Sequence, residues 1–223
     1  MSVRAGLIAA VASAAVASPV GAQVPLPDPE PPAPDALQRD AVRPVALGHP
    51  WHGRLEHGLQ LPAAGADFAT WDPVLNQSPN REWRRWGTAE LVRVLERVSR
   101  EFRAAHPGAL PVLIGDLSRP HGGPFGRAYG GLGHTSHQNG LDADVVYPRR
   151  DRTLRAATRP SQVDRELAQD LVDRFLRAGA VKLFVGPHLD LTGPRRVVIA
   201  LAHHDDHVHV RISNPARDEA LET

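Results

Sequence analysis

The chain has 223 residues, of which 42% are hydrophobic and 23% charged, so it carries enough apolar material for a packed core and does not read as a disordered chain. With 26 basic against 25 acidic side chains it lacks the basic excess that phosphate neutralisation requires, and nucleic-acid binding is not expected. There is no cysteine, which removes thiol nucleophiles, disulfides, iron–sulfur clusters and Cys-ligated zinc; a metal would have to be held by His, Asp or Glu.

Residues 1–22 read as a cleaved signal peptide. Arg4 precedes an apolar run at 5–16 that is too short to span a bilayer, and Val20, Gly21 and Ala22 supply small residues for cleavage. The expected location is periplasmic or otherwise exported, with no stable membrane insertion after cleavage. Residues 23–48 include PLPDPEPPAPDA, which has almost nothing to bury and reads as an extended spacer. A single domain is expected over 49–223. In it, Thr88 caps a helix with Leu91, Leu95, Val98 and Phe102 at helical spacing, stopped by Pro107-Gly108. Residues 110–116 read as a buried strand, 122–133 as a glycine-rich loop, and 141–147 as a strand. Ser161 and Asp164 resemble a capping box opening a second amphipathic helix, with Leu167, Leu171 and Phe175 on one face and Gly179 at its end. Residues 181–185 and 207–212 are further strands, and 196–202 is apolar but ambiguous between strand and helix. Strands and helices mix without regular βαβ alternation, which predicts an α+β domain with a mainly antiparallel sheet flanked by helices.

Of 12 histidines, two fall in GHTSHQNGLDAD and four in HHDDHVH, both beside aspartates. On a strand over 207–212, Val208, Val210 and Ile212 enter the core while His207 and His209 face a cleft, their imidazoles about 7 Å apart. Either both bind a metal, or one binds it and the other moves protons. In the first window Gly140 allows a tight turn between His137 and the following strand, where Asp142 and Asp144 share a face; spacing does not choose between them. A His, an Asp and a distant His make a three-ligand site with one position open, the arrangement of catalytic zinc.

The blocks VLIGDLSRPHGGPF, GHTSHQNGLDADVV and HDDHVHVRI together resemble the penicillin-insensitive murein endopeptidases, part of a wider metallopeptidase group with lysostaphin-type enzymes, D-Ala-D-Ala peptidases and the hedgehog signalling domain. That group's signature is a His-x6-Asp pair followed by His-x-His. The resemblance implies a hedgehog or D-Ala-D-Ala-peptidase-like fold. It implies zinc held by His137, Asp144 and His209, with His207 as catalytic base and His204 as another active-site histidine. His134 matches a histidine that joins a second zinc in the family, but the other ligands of that second site have no counterpart between Pro148 and Gln169, so one zinc is expected. Arg119 stands roughly where the D-Ala-D-Ala peptidases place a substrate-facing arginine. Asp142 either orients a ligand from behind or caps its strand.

The implied chemistry is metal-assisted hydrolysis of the D-alanyl–diaminopimelyl cross-link between peptidoglycan stem peptides, with His207 taking the water proton and His204 or Arg119 helping to stabilise the oxyanion. A D,D- or L,D-carboxypeptidase of the same fold and a non-catalytic murein- or zinc-binding module are the alternatives. No serine-nucleophile motif, phosphate loop or dinucleotide fingerprint competes.

Overall fold

The structure, a computed structural model, describes residues 43–129 and 134–214; the expected signal peptide and most of the expected spacer lie outside these residues. The first strand, β1 (Val45–His49), lies across the expected domain start at 49 and forms an antiparallel hairpin with β2 (His52–Glu56). A second small pairing joins β3 (Leu59–Gln60) to β5 (Trp86–Gly87). Between these two lies β4 (Phe68–Thr70), the first edge of the main sheet.

The helix α1 (Ala89–Ala105) begins where the sequence predicts. Thr88 is extended and its hydroxyl accepts the Leu91 N–H, satisfying one of the donors that the first turn leaves open. Leu91, Leu95, Val98 and Phe102 are all buried, and the helix ends at His106 ahead of Pro107. Strand β6 (Val112–Ile114) is shorter than the expected 110–116, because Pro111 has no N–H to give to a ladder and Leu110 is exposed. Strand β7 (Asp142–Val146) follows the glycine-rich loop.

The second helix starts three residues later than the capping box suggests. Pro160–Gln162 forms a separate 3-10 turn, Val163 is extended and buried in the core, and Asp164 is the cap, accepting the Leu167 N–H at 3.2 Å. Burial of Val163 interrupts the helical path, so Ser161 cannot reach α2 (Arg165–Arg177). The helix ends at Ala178, and Gly179 follows with φ of 87°. Strand β8 (Ala180–Val185) comes next, and the ambiguous 196–202 stretch resolves as strand β9 (Val198–Ala200). Strand β10 (His207–Ile212) is where it was expected.

The main sheet has the order β4-β6-β7-β10-β8-β9. Its centre is antiparallel, and the two outer pairs, β4 with β6 and β8 with β9, are parallel. The domain is therefore α+β, with a mixed sheet and both helices in one core. Alternation divides the sheet faces. Ile114, Ala143, Val145, Leu183, Val208 and Val210 pack with the apolar faces of α1 and α2. On β7 and β10 the alternate residues are Asp142, Asp144, Val146, His207, His209 and Arg211, and these side chains line the other face. The antiparallel register sets His209 opposite Asp144 and Arg211 opposite Asp142.

Candidate metal centre

The pairing of β7 with β10 fixes half of the site, and the loop before β7 supplies the rest. His137 has φ of 66°, a left-handed backbone that costs a non-glycine residue about 1–2 kcal/mol. Its N–H donates to Asp142 Oδ2 at 3.0 Å, and its Nδ1–H to the Leu117 carbonyl at 2.7 Å, so the strained conformer is held from two sides. Gly140 provides the turn into the strand at φ of 76°, where a Cβ would lie 2.8 Å from Leu55.

The three residues named as ligands converge. His137 Nε2 lies 3.3 Å from Asp144 Oδ1, His209 Nδ1 lies 3.2 Å from the same oxygen, and the two nitrogens are 3.2 Å apart. A tetrahedral ion with N and O ligands at about 2.0–2.1 Å has edges of about 3.3–3.4 Å. The triangle therefore has the size that one such ion requires. Asp144 Oδ1 is buried and has no hydrogen-bond partner, although His137, His209 and His207 Nε2 (3.6 Å) all point near it.

Tautomers sharpen the point. With the His137 proton committed to Leu117 at Nδ1, Nε2 carries a lone pair. His209 Nε2 lies 3.2 Å from Asp142 Oδ1 without hydrogen-bond geometry, an ion-pair contact that favours a proton on Nε2 and a lone pair on Nδ1. In that arrangement two nitrogen lone pairs and a carboxylate oxygen face one another, a set that favours a cation or a proton between them. Without a metal it is a proton. Burial alone would pull His209 down, but Asp142 and Asp144 outweigh it and push its pKa up to about 9. His137 goes the other way: burial holds it low, only partly offset by Asp144, so it stays neutral. The donor set fits a divalent cation of borderline softness such as zinc.

His134 sits beside this triangle. Its Nδ1 is 3.9 Å from Asp144 Oδ2, and with His137 and Asp144 it makes a looser set of donor atoms within 4.8 Å of one another. His207 donates Nδ1–H to Asp206 Oδ1 at 2.7 Å and turns Nε2 toward Asp144. Its pKa is raised: burial lowers it, and the Asp144 and Asp206 carboxylates more than compensate. His204 donates Nδ1–H to the Ala202 carbonyl at 2.8 Å, and burial holds its pKa down. Asp142 accepts from the His137 N–H and from Arg211 Nε at 2.6 Å, so it ties the loop before β7 to β10.

The cleft of ≈ 790 Å³ has Trp51, Phe184, Trp71 and Val146 in its apolar lining, with Arg211 among its polar lining. Arg119 is not brought to it; the guanidinium stacks 4.3 Å over the Tyr129 ring. Several of these residues escape a reading of the sequence. Arg211 follows His209 by two positions and so shares its face, a signal that was available; Asp206 adjoins His207; Trp51 and Trp71 give no local sign of their role.

A family model described as penicillin-insensitive murein endopeptidase matches residues 46–183. The chain is 27% identical over 203 residues to a penicillin-insensitive murein endopeptidase of Yersinia enterocolitica, an alignment covering 79% of this chain and 68% of that protein. It is 37% identical over 83 residues to the protein of the same name from Escherichia coli O157:H7, covering 36% of this chain and 28% of that one. The same figures hold for the protein from E. coli O1:K1.

Proposed function

The chain belongs to the penicillin-insensitive murein endopeptidase family, and on that premise we propose that it is an exported zinc peptidase that hydrolyses D-alanyl–diaminopimelyl cross-links of peptidoglycan. The observation that carries the reading is the triangle of His137 Nε2, Asp144 Oδ1 and His209 Nδ1, closed around a buried carboxylate oxygen with no hydrogen-bond partner. These three would hold the ion. When bound, zinc supplies a Lewis acid that polarises the scissile carbonyl and brings the pKa of water from about 15.7 toward 7.

The chain's own groups do the rest. His207, its Nδ1 proton held by Asp206, takes the proton of the attacking water at Nε2 and can return it to the leaving amine. A cation held by the three would oppose the rise that Asp144 and Asp206 impose on His207 and so favour its basic form. Asp142 orients His137 through its backbone N–H and sits as a counter-charge 3.2 Å from His209 Nε2, with Arg211 fixing the carboxylate from its other side. Trp51, Trp71 and Phe184 give the cleft apolar walls for the peptide. Export rests on residues 1–22; among the described residues no helix is long and apolar enough to cross a membrane. The carboxypeptidase alternative requires a cation for a terminal carboxylate. Arg119 is stacked on Tyr129 and Arg211 is engaged by Asp142, so endopeptidase activity is the better fit.

The test is metal analysis of the purified mature protein with digestion of isolated murein, the released muropeptides being identified by mass spectrometry. About one zinc per chain and loss of both metal and cleavage in His137→Ala are expected. A His137→Ala protein that still cuts murein would end the proposal.

A further inference from the structure

A second cavity, of ≈ 450 Å³, opens beside the cleft, and the mechanism above does not use it. Val146 lines both. On β7 it follows Asp144 by two positions and so projects to the same face, about 7 Å further along the strand. The segment 154–156 borders both spaces as well. Leu154 and Ala156 pack on Trp71, Leu113 and Val146, with Ala156 in the lining of the cleft and Leu154 and Arg155 in that of the cavity. Phe102, Val112 and Tyr147 give the cavity buried apolar lining.

The charged groups of this cavity come from the turn 149–155 and the start of α2. Arg149 is 2% exposed; it engages Asp151 through two guanidinium nitrogens and Gln162 Oε1 at 3.0 Å, which fixes the turn and cancels its one acid. Arg152 and Arg155 line the cavity and are exposed, and among the described residues neither makes an ion pair or a side-chain hydrogen bond. Glu166, in the first turn of α2, lines the same cavity and is equally unpaired, while Asp164 is occupied as the helix cap. Positive and negative groups thus border one partly apolar space without neutralising each other. A purely anionic ligand would be repelled by Glu166 and a purely cationic one by the two arginines. A zwitterion on an aliphatic stem satisfies both, since each of its charges finds an unpaired partner.

The proposed substrate carries such a group. On the D-alanyl side of the cross-link the diaminopimelyl residue next to the D-alanine ends in a free amine and a free carboxylate, at the tip of an aliphatic stem. One extended residue covers about 3.5 Å. The stem adds a comparable reach, so with the scissile carbonyl at the Asp144 triangle the zwitterion comes to the level of Val146. We propose that the cavity is a subsite that selects this residue, Arg152 and Arg155 taking its carboxylate and Glu166 its ammonium. The inference rests on the reading of the cleft as a peptidase site. Neither arginine lines the cleft itself, so they supply no cation for a terminal carboxylate at the scissile bond.

Three synthetic cross-linked peptides test it. They carry, on the D-alanyl side, a diaminopimelyl residue, a lysyl residue that lacks only the carboxylate, or a diaminopimelyl residue whose free amine is acetylated. KM of the wild type should be about tenfold higher for the lysyl peptide and about threefold higher for the acetylated one. Arg152→Ala with Arg155→Ala should raise KM for the diaminopimelyl peptide about tenfold and add nothing to that for the lysyl peptide. Glu166→Gln should raise it about threefold and no longer respond to acetylation. All three positions are exposed, so melting temperature and zinc content should stay as in the wild type. Equal KM for diaminopimelyl and lysyl peptides in the wild type would overturn the proposal. So would an arginine variant that loses as much on the lysyl peptide as on the diaminopimelyl one, because the turn would then attract murein by charge alone. Should the wild type cut neither these peptides nor murein, the peptidase reading fails by itself. Calorimetric binding then decides on the cavity: tighter binding of the diaminopimelyl than of the lysyl peptide, lost in the arginine variant, supports the subsite, and equal binding refutes it.

Discussion

Replacing Asp142 by asparagine changes the site by one negative charge at nearly constant volume, and the consequences follow from what that carboxylate touches. Oδ2 accepts the N–H of His137, whose left-handed backbone depends on it, and Oδ1 accepts Arg211 Nε while lying 3.2 Å from His209 Nε2. Asparagine has one acceptor oxygen for the His137 N–H and the Arg211 guanidinium, removes the charge beside His209, and brings an N–H₂ that faces donors instead. Orienting partners of this kind are worth about 10–100-fold in metal affinity. Stability should fall too, because the variant leaves Arg211 without its counter-charge at a site where Asp142 is 0% and Arg211 14% exposed. Breaking a buried pair costs about 3–5 kcal/mol, and the residual exposure of Arg211 argues for the lower end. At about 2–4 °C per kcal/mol for a domain of this size, the metal-free variant should melt about 6–12 °C below the wild type. Chelator competition measures the first effect and calorimetric melting of metal-free protein the second. If Asp142→Asn binds zinc as tightly as the wild type, the bracing role is wrong, whatever happens to the melting temperature.

His207→Gln should keep its zinc and lose about 10²–10⁴ in kcat, the range for removing a general base; loss of metal instead would show that ligand and base are wrongly divided between His207 and His209. Zinc affinity should depend on pH in a defined direction. His209 is faced by His137, Asp142, Asp144, His204, Arg211 and Phe184, and despite burial the carboxylates raise its pKa to about 9, so below that pH the metal-free site holds a proton that zinc must displace. Affinity should then rise about tenfold per pH unit up to about 9 and level off above it. Titration calorimetry at pH 7.5 in buffers of different ionisation enthalpy should find one proton released per zinc, and none released would refute the tautomer argument.

Much of this arrangement can be read in the amino-acid order where it depends on period. The alternation in HVHVRI and in DADVV assigns side chains to core or cleft because a strand has only two faces, and the Thr88 cap is legible because its hydroxyl acts three residues away. What depends on distant packing is not. Nothing local announces that Val163 is drawn into the core and moves the start of α2 to Asp164, or that the guanidinium of Arg119 settles on Tyr129 instead of in the cleft. Nor does spacing separate Asp142 from Asp144, since both face the cleft. The cross-strand register separates them: it sets an arginine opposite one and a histidine opposite the other.

That difference shows where on this face a cation would be best placed. The cleft face buries the carboxylates of Asp116, Asp142 and Asp144 in the space of a few side chains, and buried charge has to be paired or bound to a metal. Asp116 has Arg84 and Asp142 has Arg211, each through two guanidinium nitrogens. Asp144 has no arginine or lysine among the described residues; its neighbours are the imidazoles of His134, His137, His207 and His209. Burial raises the pKa of Asp144, yet its histidine neighbours hold it well below the ordinary carboxylate value, so it stays ionised with one negative charge that permanent cations do not meet. A single arginine at position 209 would have satisfied it and sealed the sheet. Histidine there leaves the charge open to whichever cation the cleft admits, and the neighbouring ion pairs ensure that Asp144 alone among these carboxylates is available to it.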